Sequence, residues 1–503
     1  MNKKIILFTM AAVTSLVTLD TTIVGVALPS IARSLHATFA DIEWVIGGYV
    51  LCFASLLTPA GVLGDVRGRR GAVLAGVSIF GIASVLCGVA QTATLLTVAR
   101  VLQGVGAAFL PSAALGIIGH TFRGPERARA FGVWGAVTGL AIVSGPIVGG
   151  FVTSQWGWRW TFLINIPICA ALLVAVVRWV PDSRDPAAKR YDIVGCVTFC
   201  AALFLLTWSL IDPHYMAARL GGAAIMLALF VAAERRHPSP MLDLALFGQP
   251  AFLGAVAAMV AYAAAAQVLI FFLPMYLQNA FGFSAQASGL AMLPFAVPLF
   301  IMPRIAARAS ARHGSRSVLV WGLATVAVGD LLLALTAPAL RYPLFALAMV
   351  VTGVGAGMLN GETAQALQST IPPERGSTAG GFAATIRFTA ILLAVAVFGI
   401  VLSRSATTEF SHRAEDAGLS VDAAPLVRRL IAGDPSGGGA MRDVRPTTRV
   451  LTAEIAQLSV ASGIAWLMLT AAVIGGVGSA ITWRLLPARN ATTLVEHAAL
   501  IVD

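Results

Sequence analysis

The sequence predicts an all-α polytopic membrane protein with fourteen spanning helices, and its composition and its apolar runs carry that prediction. Of the 503 residues, 58% are hydrophobic and only 11% are charged, whereas soluble globular domains carry about 25% charged residues. An α-helix needs about 20 apolar residues to cross a hydrocarbon core about 30 Å thick. About fourteen segments of the chain reach that length.

The predicted spans follow one another with mostly short connections. The first begins directly after Met1-Asn2-Lys3-Lys4. Because its apolar run is long and many more follow, we expect an uncleaved first span rather than a signal peptide. The predicted spans are 5–28, 44–63, 72–90, 95–118, 131–153, 159–180, 191–211, 217–233, 250–273, 284–303, 317–337, 344–366, 379–402 and 459–484.

The distribution of Lys and Arg predicts the orientation of the chain. An even number of spans puts both termini on one side of the membrane. The loops of that side hold 20 Lys and Arg, against 4 in the short loops of the other side. Because cytoplasmic loops carry the excess of Lys and Arg, we expect cytoplasmic termini and a location in the cell membrane. The formal net charge of +11 then follows from topology, and a nucleic-acid partner is not expected.

Two similar loops indicate an internal repeat. Segments 61–70 and 304–316, which follow spans 2 and 10, are both basic turns built around a glycine. Each precedes the third helix of a six-helix unit if spans 7 and 8 form an inserted hairpin, and parallel six-helix repeats are typical of transporters that rock two halves around a central site. The predicted domains are a six-helix bundle at 1–183, a hairpin with its linkers at 184–245, and a second six-helix bundle at 246–503, which includes a long, partly ordered outer loop at about 403–458.

Five motifs combine glycines, prolines and isolated charges at fixed spacing. They are Leu19-Asp20-x-Thr22-Ile23-Val24-Gly25-Val26-Ala27-Leu28-Pro29, Gly61-x-Leu63-Gly64-Asp65-x-x-Gly68-Arg69-Arg70, Leu96-x-x-x-Arg100-x-x-Gln103-Gly104-x-Gly106-Ala107-Ala108, Gly139-x-x-x-x-x-Gly145-Pro146-x-x-Gly149-Gly150 and Trp158-Arg159-Trp160-x-Phe162-x-x-Asn165-x-Pro167. The second, third and fourth resemble motifs A, B and C of the major facilitator superfamily. The first and fifth resemble the fourteen-helix drug:proton antiporters of that superfamily, the QacA/EmrB type. Two positions depart from the pattern: Gly25 stands where an asparagine is usual, and the glycines that usually follow Arg387 are absent.

The resemblance implies the major facilitator fold, with two six-helix bundles and an inserted two-helix hairpin, and the function of a proton-coupled multidrug exporter. Such a protein moves lipophilic, often cationic compounds out of the cytoplasm by alternating access. It is not an enzyme and uses a proton gradient rather than a cofactor or metal. Participation of a periplasmic adaptor protein stays open.

Two other functions remain as alternatives. The first keeps the transporter and changes its cargo to one endogenous metabolite, a lipid-like molecule or a self-made antibiotic. The second is a channel or a polytopic enzyme, and the sequence disfavours the enzyme because it contains no G-x-x-x-x-G-K-[ST], no H-E-x-x-H and no G-x-S-x-G.

Asp20 is the candidate for proton coupling, together with Arg100. By our span limits, Asp20 lies roughly 12 Å and Arg100 roughly 9 Å below the same side, at 1.5 Å per residue. A lone charge in hydrocarbon is costly, so such charges face a polar cavity or each other. Burial favours the neutral acid and a nearby guanidinium favours the carboxylate, so a change in their separation moves the proton. A static structural pair is the alternative.

Three further charges lie within the predicted spans of the second half. Glu362 in span 12 and Arg387 in span 13 approach from the same side, which suggests a second proton-linked interaction. The alternative for Glu362 is an interfacial carboxylate beside a helix end. Asp330 in span 11 is either a snorkelling or locally hydrogen-bonded carboxylate or a functional one.

Motifs A and C supply the candidates for conformational gating. In motif A, a carboxylate and arginines near helix ends can latch the two halves in one state, whereas a solvated basic loop is the alternative. In motif C, glycines allow close helix approach and a proline removes a backbone donor, which a plain packing helix also explains. The candidate gating residues are Gly61, Asp65, Arg67, Gly68, Arg69, Arg70, Gly139, Gly145, Pro146, Gly149 and Gly150.

Aromatic, Met and amide side chains in the spans are the candidates for substrate contact. Aromatic and Met surfaces suit flat, lipophilic compounds, although for any one of them burial in helix packing or exposure to lipid is the alternative. The candidates are Trp44, Tyr49, Phe109, Trp134, Tyr262, Gln267, Phe271, Met292 and Phe295. No metal site is expected, because the five cysteines lie in apolar runs without paired spacing.

Overall fold

A computed structural model describes residues 3–122, 125–183, 192–211, 215–237, 244–370, 376–419, 426–427, 431 and 449–487. Within these ranges the regular secondary structure is helical throughout. An all-helical fold is what a lipid environment requires of a chain without a closed barrel, because each backbone N–H and C=O must find its partner within the helix. The predicted all-α class is confirmed.

Fourteen helical segments correspond one to one with the predicted spans. They are α1 Lys3–Leu35, α2 Phe39–Arg67, α3 Arg69–Gly88, α4 Ala93–Thr121, α5 Pro125–Trp156, α6 Trp160–Trp179, α7 Ile193–Ile211, α8 Met216–Arg236, α9 Pro250–Asn279, α10 Ala285–His313, α11 Ser315–Thr336, α12 Tyr342–Ser369, α13 Gly376–Asp416 and α14 Arg449–Leu485. In the part of the chain that the structure describes, 13 helices are long and apolar enough to cross a membrane, and α7 contributes the shorter apolar stretch Val194–Leu206. Helices α1–α6 form the first half, α7–α8 the hairpin and α9–α14 the second half.

The predicted loop at 403–458 is helical at both ends. Helix α13 continues to Asp416, and α14 already begins at Arg449. The additional turns of α13 are polar and carry an ion pair between Arg413 and Glu409 at 2.8 Å. A hydropathy window stops at the membrane boundary, so it missed the polar continuation of a helix that is itself unbroken. Most of the sequence between these two helices lies outside the described residues.

The repeat is visible in two helix crossings. In the first half, a Cβ on Gly106 of α4 would lie 2.9 Å from the carbonyl oxygen of Gly76 in α3. In the second half, a Cβ on Gly355 of α12 would lie 2.7 Å from the carbonyl oxygen of Gly322 in α11. Both pairs therefore bring two backbones into direct contact. The third and fourth helices of each half are packed in the same way, as expected for a duplicated six-helix unit.

The two halves are in contact at one end of the bundle. We call this the distal end, because it lies opposite the end that carries Lys3 of α1 and Leu485 of α14. Gln278 Nε2 of α9 donates to the carbonyl oxygen of Val26 in α1 at 2.9 Å, and the backbone N–H of Gln286 donates to Ser154 Oγ at 3.0 Å. These contacts close the distal side of the space between the halves.

The hairpin lies beside the contact between the halves. Its helix α7 packs against α2 and α13, with the rings of Trp44 and Phe204 5.8 Å apart. Phe199 of α7 and Phe230 of α8 are 5.2 Å apart, whereas α8 is mostly exposed. The hairpin therefore forms a lateral layer rather than part of either core.

Candidate functional site

A cavity lies between the halves at the middle depth of the helices. It holds about 780 Å³ of unoccupied space, its open mouth included. Its walls come from α1, α2, α5, α9, α10, α12 and α13, so both halves contribute. Val17, Ile142, Phe271, Phe295 and Phe388 supply apolar surface. The polar lining consists of Thr18, Thr21, Thr22, Tyr49, Tyr262, Gln267 and Arg387.

Five of the nine predicted substrate contacts line this cavity: Tyr49, Tyr262, Gln267, Phe271 and Phe295. The other four predictions are not supported, because these side chains lie outside its lining and are used in helix packing. Trp44 packs on the hairpin, and Trp134 Nε1 donates to Thr14 Oγ1 at 3.1 Å between α5 and α1. Phe109 lies against Gly76 in the α3–α4 crossing, and Met292 is buried at a turn within α10. Their residue type was suitable, but residue type alone does not show whether a side chain packs between helices or lines the cavity.

Asp20 lies in a buried polar cluster behind the cavity wall. Its Oδ2 accepts from Arg100 Nη1 at 2.7 Å. Its Oδ1 accepts from Gln103 Nε2 at 3.0 Å and from Asn165 Nδ2 at 2.8 Å. Asp20 is 0% and Arg100 2% exposed, and charge-assisted hydrogen bonds of this kind are the strong ones. The predicted proximity of Asp20 and Arg100 is therefore present, although its role in proton coupling stays a prediction.

Arg100 has partners besides the carboxylate. Its Nη1 also donates to Gln103 Oε1 at 2.6 Å, and its Nε donates to the carbonyl oxygen of Val45 at 3.4 Å. Its guanidinium lies over the ring of Tyr49, 3.9 Å from the centroid, which adds a cation–π contact. Because Tyr49 also lines the cavity, its ring is the partition between the cavity and the ion pair.

Three members of this cluster have amide or hydroxyl side chains that received no role at the sequence level: Gln103, Asn165 and Ser84. Gln103 Nε2 donates to Ser84 Oγ at 2.9 Å, in addition to its bond with Asp20. Gln103 is three residues after Arg100, on the same face of α4, and Asn165 follows a break in α6 at Ile164. Both were part of quoted motifs, so the signal was present. What the sequence lacked was the contact of α1, α3, α4 and α6 at one point.

Glu362 and Arg387 do not form the suggested pair. Glu362 Oε1 accepts from Ser310 Oγ at 2.5 Å, between α12 and α10. Arg387 Nε donates to Gln267 Oε1 at 2.6 Å, between α13 and α9. The prediction was wrong for this conformation. The positions of the two residues along their helices indicate a similar depth in the membrane, but they do not show which way each helix face is turned.

Asp330 is a locally hydrogen-bonded carboxylate. It is fully buried between α11 and α12, and its Oδ1 accepts from Thr352 Oγ1 at 3.3 Å. Its Oδ2 has no hydrogen-bond partner in the part of the chain that the structure describes. Snorkelling is therefore wrong for this residue. Asp330 follows Gly322 by eight residues, as Ser84 follows Gly76 in the equivalent helix crossing of the first half. Asp330 therefore occupies in the second half the place that Ser84 occupies in the first.

Motif A connects helices within the first half. Gly68 separates α2 from α3 at a φ of 121°, where a side chain is strained, and a Cβ there would lie 2.7 Å from Asp182 Oδ1. Arg69 Nη1 donates to the carbonyl oxygen of Gly116 at 3.3 Å, and Arg70 Nη2 to that of Val177 at 2.6 Å. Arg67 is exposed and Gly61 packs on Ser112, while the side chain of Asp65 lies outside the described residues. These arginine contacts lie in one half, so they do not form the predicted latch between halves.

Motif C places one helix between both halves. Cβ atoms on Gly145 and Gly149 of α5 would collide with Thr22 and Ile23 of α1, and a Cβ on Gly139 would touch Phe300 of α10 at 3.3 Å. On the other face, a Cβ on Gly150 would lie 2.5 Å from the carbonyl oxygen of Ala285 in α10. Next to it, Gly289 of α10 packs on the carbonyl group of Pro146. This geometry supports the gating hypothesis, because the same helix forms the distal contact.

Glu43 is a buried carboxylate that the sequence did not single out. This side chain is 6% exposed near the distal start of α2, and a Cβ on Gly399 of α13 would collide with its Oε1. Among the described residues, Oε1 has no hydrogen-bond partner. Burying a charged carboxylate without a partner is costly, so such a group is normally protonated or is retained because it has a function. Its place near a helix end and before Trp44 resembles an interfacial position, so hydropathy gave no reason to select it.

The departure at Gly25 has a steric reason. A Cβ there would lie 2.9 Å from the carbonyl oxygen of Ile270 in α9. Helices α1 and α9 belong to different halves, so Gly25 allows their backbones to meet at this point. An asparagine would not fit in this conformation.

We expect Gly25→Ala to lower thermal stability, because overpacking against backbone costs typically about 1–3 kcal/mol. The matched control is Gly71→Ala in α3, where an added Cβ meets nothing within 4 Å. Thermal unfolding of both purified variants, followed by tryptophan fluorescence, measures the difference. Equal melting temperatures would contradict the close approach of α1 and α9.

Comparisons with known proteins agree with this architecture. The family model described as Major Facilitator Superfamily matches residues 10–395. The chain belongs to the major facilitator superfamily. Among solved structures, this major facilitator protein superposes with a TM-score of 0.62 on an inward-facing bacterial homologue of the human lysosomal transporter Spinster, at 17% identity and over 97% of this chain and 99% of that one. That likeness concerns the fold.

Two curated members of the superfamily are similar along most of the chain. The multidrug resistance protein Stp of Mycobacterium tuberculosis is 32% identical over 404 residues, which are 78% of this chain and 74% of that protein. The tetracenomycin C resistance and export protein of Streptomyces glaucescens is 31% identical over 412 residues, 80% of this chain and 77% of that protein. This major facilitator protein is thus a transporter and not an enzyme.

Proposed function

We propose that this chain is a proton-coupled exporter of lipophilic small molecules that works by alternating access. The observation that carries the proposal is a cavity shared by both halves, separated by one tyrosine ring from a buried ion pair. The names of its relatives, which refer to multidrug resistance and to export of tetracenomycin C, support efflux as the direction. The positive-inside distribution supports cytoplasmic termini in the cell membrane, with the distal end outside.

The cluster suggests how a proton is exchanged for cargo. In the described conformation Asp20 is sealed by Arg100, Gln103 and Asn165. If Asp20 takes up a proton, Arg100 keeps Gln103 Oε1, the carbonyl oxygen of Val45 and the ring of Tyr49 as partners. Protonation therefore frees α1 from α4 without leaving the guanidinium unsolvated, which biases the position of α1 at the contact with α5 and α9.

Distal opening separates the halves at α5 and α10. It exposes the cavity to the outside, where cargo leaves and a proton enters. The distal end then closes, the end that carries Lys3 and Leu485 opens, and the proton leaves to the cytoplasm. Each step uses a contact that exists in one state and is absent in the other, as population shift requires. A periplasmic adaptor would extend the path beyond the distal end without changing this cycle.

Export of one compound rather than many is the second candidate. The relative named for tetracenomycin C favours it, and so does a cavity in which Arg387 is the single charged residue among the described lining residues. Lipid-like molecules are less well suited, because the lining includes seven polar side chains at mid-depth.

Purified protein in liposomes with an imposed pH gradient tests the proposal. We expect gradient-dependent movement of aromatic dyes, abolished by a protonophore, because proton entry drives the cycle. The assay uses several dyes, both charged and neutral, and compares the rates with protein-free liposomes. Dye movement that persists unchanged after collapse of the gradient would contradict proton coupling, and ion conductance in the same membranes would indicate a channel.

A further inference from the structure

Arg387 is the charged group of the cavity, and its setting differs from that of Arg100. Its guanidinium is partly exposed and lines the cavity. Its Nε donates to the neutral oxygen of Gln267 at 2.6 Å. The rings of Tyr262 and Phe388 lie 5.9 and 5.7 Å from its central carbon. Arg100, in contrast, has the carboxylate of Asp20 at 2.7 Å.

The described residues give Arg387 no counter-ion. Glu362, the carboxylate expected as its partner, is bound to Ser310. Asp20 is engaged with Arg100 behind the ring of Tyr49. A guanidinium away from bulk water is stable only with partners for its charge and its N–H groups. An anion that enters the cavity would supply both.

The geometry leaves the donating end of Arg387 available. A guanidinium presents five N–H groups in a rigid plane, and the described hydrogen bond uses only the one on Nε. The two terminal amino groups form the fork that binds a carboxylate with two parallel hydrogen bonds. Gln267 holds this fork in place from α9, at the end of a wide π-helical turn that covers Ala263–Gln267. Turns of this type are frequent at functional sites.

The walls around the fork suit a flat ring system. Phe271 and Phe295 line the same cavity as Phe388 and Tyr262, so aromatic faces of both α9 and α10 are within it. Ring stacking and the apolar area would bind the body of a cargo, and Arg387 would bind its charge.

We propose that Arg387 anchors an anionic group, a carboxylate or a phenolate, of a flat aromatic cargo, so that the cavity prefers aromatic anions to lipophilic cations. The inference deepens the proposed function and rests on it, because the bound anion is a cargo only if the chain is an exporter. It differs from the expectation of an often cationic cargo, which came from the family resemblance. In the structure, Asp20 is engaged with Arg100, Gln103 and Asn165 and does not line the cavity.

Equilibrium binding to the purified protein tests the preference without any gradient. Fluorescein and rhodamine 123 are the probes, because they share a three-ring xanthene and differ in charge, the first anionic and the second cationic. We expect fluorescein to bind at least about tenfold more tightly, measured by fluorescence anisotropy, as a charge-assisted bidentate contact implies. Tighter binding of rhodamine 123 by the wild-type protein would overturn the proposal.

Variants separate charge from packing. Arg387→Gln should weaken fluorescein binding by about 10- to 100-fold and leave rhodamine 123 unchanged or tighter, whereas Arg387→Lys should lose less because the charge remains. Gln267→Glu places a carboxylate beside Nε and should also weaken fluorescein binding, with no loss of stability. If Arg387→Gln does not fold, the Gln267→Glu result decides. Unchanged fluorescein affinity in either folded variant would overturn the proposal.

The outcomes also distinguish the two proposals. If fluorescein binds through Arg387 but a pH gradient moves no dye, the proposed exporter is wrong and the anion site stands. If the gradient drives dye out but Arg387→Gln leaves the fluorescein affinity at the wild-type value, the exporter stands and the anion site is wrong.

Discussion

Asp20→Asn is expected to abolish gradient-driven transport while leaving gradient-independent dye binding in the cavity. The substitution keeps the size of the side chain and the acceptor oxygen for one neighbour, but it removes the only charge that Arg100 contacts within 4 Å among the described residues. Removing one partner of a buried pair destabilises by about 3–5 kcal/mol. If that interaction energy is what couples the proton to α1, its loss corresponds to a fall in coupled transport of about two orders of magnitude or more.

Stability and coupling have to be separated in this experiment. Asp41→Asn is the matched control, because Asp41 is a carboxylate near the start of α2 that caps the helix by bonding to Thr38, and it has no proposed role in transport. Asp20→Asn combined with Arg100→Gln removes both charges, and we expect it to recover thermal stability without recovering coupling. Coupled export by Asp20→Asn, at wild-type expression and melting temperature, would show that Asp20 does not carry the proton.

The spans of the membrane domain follow from the sequence because the bilayer imposes a length on each apolar run. The prediction fails where that constraint ends. Helix α13 continues to Asp416 with polar residues and an Arg413–Glu409 pair, and no hydropathy window detects a helix outside the hydrocarbon. Glu43 was missed because the predicted second span begins at residue 44, which left this carboxylate in the preceding loop.

The sequence identified the charged members of the candidate site and missed the uncharged ones. Asp20 and Arg100 were found because a charge in an apolar run requires a partner. Gln103 and Asn165 carry no charge, and their role arises only where α4 and α6 meet α1, so neither spacing nor depth identified it. The same limit explains the Glu362–Arg387 error: depth along the membrane normal is readable from the sequence, but the rotation of each helix depends on tertiary packing.

The glycines of motif C show how packing turns a sequence motif into a gate. Gly145, Gly149 and Gly150 belong to one helix, yet the first two face α1 of the same half, whereas Gly150 faces α10 of the other. Only the last contact must break when the halves separate at the distal end. A glycine motif therefore contains both permanent and state-dependent contacts, and a substitution tells them apart only if the position is chosen from the structure.

Gly150→Ala is therefore expected to shift the protein away from the distally closed state. The added methyl carbon would lie 2.5 Å from the carbonyl oxygen of Ala285 and 3.0 Å from Cα of Gln286, and a helix backbone does not yield as a flexible side chain does. Overpacking of about 1–3 kcal/mol, if confined to the closed state, changes the ratio of closed to open forms by about 5- to 150-fold.

Gly135→Ala in the same helix is the control, because a Cβ at that position meets nothing within 4 Å. Alanine there raises helix propensity by about 1 kcal/mol and should leave the equilibrium between the two states unchanged. Spin labels on cysteines introduced at Gln155 and Ala339, both exposed at distal helix ends of different halves, report the distance between the halves. We expect a longer-distance population in Gly150→Ala and the wild-type distribution in Gly135→Ala. A wild-type distribution in both variants would mean that α5 and α10 stay in contact throughout the cycle, and the opening would then have to occur elsewhere in the bundle.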